Sequence, residues 1–427
     1  MKKLYTFALF LSATVLPSLA AWDGSETSWT EGDGTEAAPY IISNEQHLAY
    51  LRSSVSNGES MKDKFFRLTA DLDMSGLRMN PIGIFDDYTL EGSDLIKESK
   101  AFLGSFDGNN HTIDNLTIVY ADPENLGGVG LFAVGRESTV IRNLKLGKGV
   151  TVDAPDSYSV GGIMGFCDGA KIYNCLSDGK VNGGGGDVGG IAGTVHPGSV
   201  IDGCIANGEV NAHTTAGGIA GFTNNSTVSN CFSSASITCP DAYMVGGIVG
   251  WSLKSTVSSC VAVGKVEAAA GSTFLPGKSP VVSELEESTA SNCFYVESLT
   301  GCAPLVAQTG VTALSEDGLK DDEVLAALNG EGSAWKHNGE GIPMLAWTLG
   351  GTSSIKAPAA VAATVKAAAG AIVVEATAAT AAIYDITGSC ICSAAVNGSA
   401  TFTPGRRGIY VVVVSTEGAS ASYKVIL

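Results

Sequence analysis

The sequence predicts an all-β chain: a right-handed parallel β-helix (solenoid) with short capping helices, followed by a small C-terminal β-sandwich. Two observations support this prediction. Glycine is abundant, at 54 residues, while charged residues make up only 16% of the chain, a balance that suits tight corners around a stacked β interior. A motif also recurs about every 28 residues with short strand-like runs, which cannot bury an apolar face unless successive coils stack.

Residues 1–21 are interpreted as a signal peptide. Lys2 and Lys3 precede the apolar run Leu4–Val15, and the small residues of Pro17–Ala21 supply a cleavage site. No later stretch reaches the about 18 apolar residues that a membrane span needs. We therefore expect an exported protein without a transmembrane segment, located at the outer-membrane surface or outside the cell.

The charge balance restricts the classes of partner. The chain has 25 Lys and Arg against 43 Asp and Glu, which gives a formal net charge of −18. Such an acidic surface repels phosphates. Nucleic acid and anionic membranes are therefore excluded as expected partners.

The repeat occupies the middle of the chain. Glycine pairs spaced 28, 28 and 29 residues apart open it at Gly161-Gly162-Ile163-Met164-Gly165, Gly189-Gly190-Ile191-Ala192-Gly193, Gly217-Gly218-Ile219-Ala220-Gly221 and Gly246-Gly247-Ile248-Val249-Gly250. Three short β-type runs are expected per repeat, with the glycine pairs at corners that need positive φ or close backbone approach. An Asn such as Asn174 or Asn230 precedes most of the recurrent cysteines and suits a left-handed bend.

Half of the ten cysteines follow the same period. They recur at intervals of 29, 27, 29 and 33 residues, as Cys175, Cys204, Cys231, Cys260 and Cys293. We expect a column of small buried side chains, because free Cys packs well in cores. No C-x-x-C pair occurs, so no metal site is predicted, and no disulfide is assigned.

These residues resemble a known family. The unit Gly-Gly-Ile-x-Gly, then Asn-Cys, then Gly-x-Val (as in Gly179-Lys180-Val181) is similar to the GLUG motif of bacterial surface proteins, common in gut Bacteroidota. The resemblance extends over residues 22–348. It implies a parallel β-helix with an N-terminal cap, and it implies little about function.

The flanks of the repeat are predicted to close the column. Ser43 and Gln46 form a capping box that opens a helix over the N-terminal end. A second helix over 321–329 is expected to cover the other end. Residues 269–290 interrupt the period and are interpreted as a looped insertion in the last coil.

The composition changes after Trp347. Residues 349–358 are interpreted as a flexible linker and 359–427 as the small β-sandwich. Strands are expected at Ala371–Glu375, Ala382–Ile386, Gly408–Val414 and Tyr423–Leu427. This pattern resembles the C-terminal sorting domains of type IX secretion, which implies outer-membrane export machinery as a partner. The alternative is a plain terminal sandwich that caps or spaces the solenoid.

The sequence carries no recognisable catalytic motif. Its five histidines, His47, His111, His196, His213 and His337, include no pair at i+4, and no catalytic residue, metal ligand or cofactor is predicted. The run Gly183–Asp187 is similar to a calcium-binding nonapeptide but occurs once, and such sites need neighbouring copies. The carboxylate pairs Asp71 with Asp73 and Asp86 with Asp87 are interpreted as solvated acids.

The sequence therefore predicts a non-catalytic, adhesin-like or structural surface protein. Its ligand is unidentified, with glycans and host or bacterial surface proteins as the classes considered, and its binding residues are unassigned. One alternative is a polysaccharide lyase or glycosidase, which would need carboxylates converging on one face. Another is a carbohydrate-binding module, which would need a row of exposed aromatic side chains. Trp251 and Tyr243 are the only large aromatics expected near one repeat, too few for such a row.

Overall fold

The computed structural model describes residues 22–85, 100–120, 127–241, 244–268, 277–304, 306–349, 363–368, 371–384, 390–404, 409–416 and 419–426. The predicted signal peptide, most of the predicted linker, Asp86, Asp87 and Tyr243 lie outside these residues. Within them, the predicted all-β class and the solenoid are confirmed.

The central coils contribute one strand to each of five parallel sheets, in place of the three runs predicted, and the coils at the ends contribute to fewer. Strands of only two to five residues suffice because each is paired with the coils on either side. Sheet 1 consists of Tyr40–Ile42, Phe65–Leu68, Ser105–Asp107, Val140–Arg142, Lys171–Tyr173, Val200–Asp202, Thr227–Ser229, Thr256–Ser258 and Thr289–Ser291. Sheet 2 consists of Leu72–Asp73, Thr112–Asp114, Lys145–Leu146, Leu176–Ser177, Ile205–Ala206, Phe232–Ser233, Val261–Ala262, Cys293–Val296 and Val311–Leu314.

The remaining three sheets complete each coil. Sheet 3 consists of Arg78–Met79, Thr117–Val119, Thr151–Ala154, Lys180–Gly183, Glu209–Asn211, Ser236–Cys239 and Val266–Ala268. Sheet 4 consists of Gly128–Val129, Ser159–Gly161, Asp187–Gly189, Thr215–Gly217, Met244–Gly246 and Gly277–Ser279. Sheet 5 consists of Phe132–Arg136, Met164–Asp168, Ala192–His196, Ala220–Asn224, Val249–Leu253 and Val282–Glu286.

The core is one continuous column inside the sheets. In sheet 1, Ile141 pairs with Phe106 in the preceding coil and Ile172 in the next, and all three are fully buried. The neighbours of Phe106 and Ile141 along their strands point outward and are partly exposed. Stacked apolar side chains thus supply the burial that no single coil could provide.

The corner between sheets 1 and 2 has left-handed backbone, as predicted. Asn143, Asn174, Asn230 and Asn292 have φ between 49° and 53°, and Gly203 takes the same position with φ 67°. Asn is among the few residue types that tolerate this conformation without a large steric cost.

The glycine pairs lie at the corner between sheets 4 and 5 and have one of the two roles predicted for them. None of the four pairs has positive φ. Instead a Cβ at Gly161, Gly189 or Gly217 would lie closer than 3.0 Å to the carbonyl oxygen three residues on. These positions therefore need glycine for close backbone approach, which is one of the two alternatives predicted.

A helix covers the N-terminal end of the column, as expected. Helix α1 spans Glu45–Ser56 and buries Leu48, Leu51 and Val55 in the main core. Its N-cap is Asn44, whose side chain accepts a hydrogen bond from His47 N. The capping box predicted at Ser43 was therefore wrong by one residue. Ser43 lies before the cap, and its backbone N donates to His47 Nδ1.

The C-terminal helix does not cover the other end of the column. Helix α2 spans Glu297–Thr300, and α3, at Asp322–Asn329, buries Val324 and Leu328 in a separate cluster on the outer side of sheet 2. The same outer face receives the hairpin Trp335–His337 with Pro343–Leu345 and 3-10 turns at Gly318–Lys320 and Ala346–Leu349. The helix predicted over 321–329 is confirmed, but its expected position over the column end was wrong, since the apolar face of α3 packs on outward residues of sheet 2.

Irregular chain closes the column at that end. Cys302 packs in the main core, and Gln308 Nε2 donates to the Val282 carbonyl at 2.8 Å. The Cys293 backbone N donates to Gly310 O at 2.9 Å. This segment satisfies backbone groups of the last coil that an exposed edge would leave unpaired.

Residues 277–290 are part of a regular coil, so the looped insertion predicted over 269–290 was wrong for its larger part. Gly277–Ser279 pairs with Met244–Gly246, and Val282–Glu286 pairs with Val249–Leu253. Ser279 and Pro280 replace the glycine pair here, which removed the sequence signal while the backbone pairing continued.

The chain forms two compact units that divide after Gly351, and the strands of the second unit are antiparallel. Its strands are Ala363–Ala368, Ala371–Tyr384, Cys390–Phe402, Ile409–Thr416 and Ala419–Ile426, in one sheet whose first and last strands also touch. Two of the predicted strands, which began at Ala371 and Ala382, merge into Ala371–Tyr384. The predicted small sandwich-like unit is confirmed as one curled sheet around its own core.

Candidate functional site

The five recurrent cysteines have a structural role. All are fully buried in one column, as predicted, and the Cys175 Sγ donates to the Tyr173 carbonyl at 3.3 Å. Burial raises the pKa of the Cys175 thiol, so it stays protonated at neutral pH. A protonated, inaccessible thiol is a poor nucleophile and a poor metal ligand.

The acids and histidines singled out in the sequence mostly form local pairs. Asp71 Oδ1 lies 3.1 Å from His111 Nδ1 and accepts a hydrogen bond from the Thr112 backbone N, which lowers the pKa of the Asp71 carboxyl. His213 pairs similarly with Asp241 at 3.1 Å. Over the described ranges, no group of three or more His, Cys, Asp and Glu is arranged to hold a metal ion.

Aromatic side chains form a row on the outer face of sheet 5. Strand pairing aligns Phe166 with Thr194, Thr194 with Phe222, and Phe222 with Trp251. His196, two residues beyond Thr194, bridges the row, with its ring 4.7 Å from Phe166 and 6.4 Å from Phe222. Phe222 and Trp251 are 4.7 Å apart. We call Phe166, Phe222 and Trp251 the aromatic strip, which His196 contacts from the neighbouring row of sheet 5.

The strip is covered at one end and accessible at the other. Phe85 lies three residues after Ile82, which bridges to Phe132 of sheet 5. Its ring stacks on Phe166 at 4.6 Å with an interplanar angle of 16°, and both side chains are buried. His196, Phe222 and Trp251 are each partly exposed. The accessible part of the strip, Phe222 and Trp251, therefore spans two consecutive coils.

Sheet 4 forms a polar wall along the strip. Gly221 brings the two sheets together, since a Cβ there would lie 2.5 Å from the Val188 backbone N. Thr194 Oγ1 donates to Asp187 Oδ2 at 2.9 Å, and Ser159 Oγ lies 2.6 Å from Thr194 Oγ1. Hydroxyl and carboxyl groups thus line the corner beside the rings.

Asp187 has an unusual protonation equilibrium. Burial in this corner raises the pKa of its carboxyl to about 7, although hydrogen bonds from Thr194 and Thr215 favour the charged form. Close to neutral pH the group can therefore either donate or accept a proton in a hydrogen bond.

A second outward row on sheet 5 borders the other side of the strip. Asp168, His196 and Asn224 succeed one another along it and are partly exposed. Burial lowers the pKa of His196, so its imidazole is neutral at neutral pH, with one donor and one acceptor nitrogen. The row offers hydrogen-bonding groups of both kinds, and Arg136 of the preceding coil lies in register with Asp168.

Phe166 and Phe222 were missed when Trp251 and Tyr243 were named as the only large aromatics near one repeat, so that part of the expectation was wrong. Phe166, Phe222 and Trp251 each directly follow the last glycine of a Gly-Gly-Ile-x-Gly unit. That shared position in the repeat was the available signal. The run Gly183–Asp187, considered for calcium, instead supplies the corner residue Asp187.

The comparisons with known proteins give one partial similarity. No family model matches the chain. Over 210 residues, covering 44% of this chain, the sequence is 30% identical to Halomucin of Haloquadratum walsbyi. The chain spans about 2% of the length of that protein. Among the helices of the described ranges, none is long and apolar enough to cross a membrane.

Proposed function

We propose that this protein is an exported, non-catalytic surface protein of the adhesin-like class, whose solenoid presents a ligand-binding face. The observation that carries the proposal is the accessible part of the aromatic strip, with Phe222 and Trp251 partly exposed in register. Partly exposed aromatic rings flanked by polar groups are typical of binding surfaces.

Other features agree with an exported surface role. A solenoid of this kind and a partial similarity to Halomucin are compatible with a structural or surface protein. The interpretation of residues 1–21 as a signal peptide and the similarity to GLUG-motif proteins point the same way. The C-terminal unit, similar to type IX sorting domains, would serve export or attachment at the outer membrane.

One observation favours a second function, a polysaccharide-processing enzyme. The raised pKa of Asp187, about 7, is suited to a general acid, and the carboxyl lies beside the aromatic strip. A glycosidase needs a second carboxylate at a defined separation from the first. Asp168 lies on the bordering row, but its carboxyl is on the other side of the strip from Asp187.

The test is binding of the purified chain from residue 22 to glycan and surface-protein arrays, with polysaccharide turnover scored on the same ligands. Saturable binding without product is expected. Turnover that Asp187→Asn abolishes would replace the adhesin-like proposal with the enzyme. Export is tested separately by protease accessibility of the chain on intact cells, and a protein protected inside the cell would contradict it.

A further inference from the structure

The accessible part of the aromatic strip is a linear feature. Phe222 and Trp251 occupy the same position in consecutive coils, with ring centroids 4.7 Å apart and planes tilted by 47°. Successive coils repeat at the spacing of hydrogen-bonded strands, about 4.8 Å. The rings therefore follow one another along the solenoid axis and do not surround one point.

This arrangement selects among ligand shapes. A single cation bound through aromatic rings is best held where several rings converge on it. Two partly exposed rings in consecutive coils, Phe222 and Trp251, instead fit an extended chain that presents an apolar face at regular intervals. A chain of pyranose sugars has this property, since the C–H groups on a ring face pack on aromatic side chains while the hydroxyls point to the sides.

The borders of the strip match those hydroxyl groups. On one side lies the Asp187 carboxyl, which is partly exposed and accepts a hydrogen bond from the buried Thr194 hydroxyl at 2.9 Å. On the other side lie His196 and Asn224, which offer both donors and acceptors. Sugar hydroxyls both donate and accept, so they can use mixed borders of this kind.

Charge restricts the class of glycan ligand further. Glu284 follows Trp251 in the same row, whereas Asp168, in the bordering row, lies beside Arg136 of the preceding coil. Glu284 and the formal net charge of −18 disfavour uronic acids, sulfated sugars and other polyanions.

We infer that the aromatic strip binds a neutral glycan chain, laid along the solenoid axis over Phe222 and Trp251 with its hydroxyls between Asp187 and Asn224. This inference deepens the proposed function and rests on it. It assigns the ligand class and the binding residues, which the broader proposal leaves open.

The experiment uses the chain from residue 22 to 427 in native gels containing neutral β-glucan, mannan or galactan, with polygalacturonate and oligolysine as charged probes. Trp251→Ala and Phe222→Ala are each expected to weaken binding to a neutral polysaccharide about tenfold or more. Tyr50→Ala is the matched control. Tyr50 is also a partly exposed aromatic in a ring pair, 4.8 Å from Trp29, but it lies on the N-terminal helix.

A conservative variant guards against misfolding. The indole Nε1 of Trp251 is buried without a hydrogen-bond partner in the described part of the chain, so Trp251→Phe keeps a ring and loses no hydrogen bond. This variant is expected to retain binding within a few-fold. It should also lose the tryptophan fluorescence change that the neutral ligand causes in the unmodified chain.

The outcomes separate the two proposals. Neutral-glycan binding that survives Trp251→Ala and Phe222→Ala would overturn the site while leaving the adhesin-like function intact. Binding only to polygalacturonate or only to oligolysine would overturn the ligand class. Absence of binding to every polysaccharide, with array binding to a surface protein, would overturn the inference alone, and absence of any array binding would overturn both.

Discussion

The outer faces of sheets 2 and 5 both carry apolar side chains, but only the face of sheet 2 is largely covered by other residues of the chain. On sheet 2, Phe232 and Val261 are covered by residues 319–347 of the same chain, including Trp335 and Trp347. On sheet 5, Phe85 covers Phe166, while Phe222 and Trp251 remain partly exposed. An apolar row on a solenoid can thus be a docking face for the protein's own chain or a surface open to a ligand.

The contacts of the two faces reflect this difference. Trp347 Nε1 donates to Gly203 O at 2.9 Å, and Trp335 Nε1 donates to Asn230 Oδ1 at 3.3 Å. These bonds join the covering segment to the left-handed corner of earlier coils. Trp251, in contrast, makes a ring contact with Phe222 and leaves part of its surface to solvent. Aromatics on the covered face should therefore contribute mainly to stability, and those on the open face mainly to binding.

The largest expected effect is on the covered face. Trp335 is 1% exposed, so Trp335→Ala should lower the free energy of unfolding by about 3–5 kcal/mol, as large aromatic truncations in cores do. Urea denaturation followed by circular dichroism measures this. Trp251→Ala is the comparison and should cost distinctly less, because its ring is already partly solvated. Equal losses for the two variants would remove the distinction between the faces.

The next effect tests how the open face is built. Gly221→Ala would place a Cβ 2.5 Å from the Val188 backbone N, so sheets 4 and 5 must separate. We expect a loss of about 1–3 kcal/mol in the free energy of unfolding. Gly185→Ala is the control, since its Cβ would meet only a Tyr158 side-chain atom at 3.8 Å. A tolerated Gly221→Ala would show that the corner does not need such close approach.

A third prediction concerns pH and the open face. Folded Asp187 has a pKa near 7 against an ordinary value of 3.8, so between these values the folded state holds a proton that the unfolded state has lost. Its contribution to stability is therefore present below about pH 4 and is lost as the pH rises to about 7. Asp187→Asn should show a smaller decrease in melting temperature between pH 4 and pH 8 than the unmodified chain. Identical pH profiles would contradict the burial of this carboxyl.

The smallest effect is at the corner that the covering segment uses. Asn230 and Asn174 both have left-handed φ, which glycine adopts easily, but Asn230 also accepts the Trp335 indole hydrogen bond and donates to Asp202 Oδ1. Asn230→Gly should therefore cost about 1 kcal/mol more than Asn174→Gly in the free energy of unfolding. Thermal denaturation of both variants measures the difference, and matching values would mean that these two side-chain bonds together add nothing to stability.

The repeat allowed much of the fold to be predicted, and its irregular parts were the source of the errors. The left-handed corner was predictable because Asn at that position has a local conformational reason. The coil over 277–290 was missed because Ser279 and Pro280 replace the glycine pair, yet neighbouring strands still supply its hydrogen bonds. The helix over 321–329 was assigned to the column end because its sequence shows an apolar face but not the surface that receives it.

The sequence by itself determined the β-solenoid, its repeat length, the inward column and the buried thiols, because each depends on a pattern that one coil carries locally. Tertiary structure alone decided which outward residues meet. Any two of Phe166, Phe222 and Trp251 are at least 29 residues apart along the chain. Only the stacking of coils in register aligns them with one another. The same holds for Asp187, whose pKa depends on a corner formed by two sheets, since burial is a property of the folded surroundings and not of the residue.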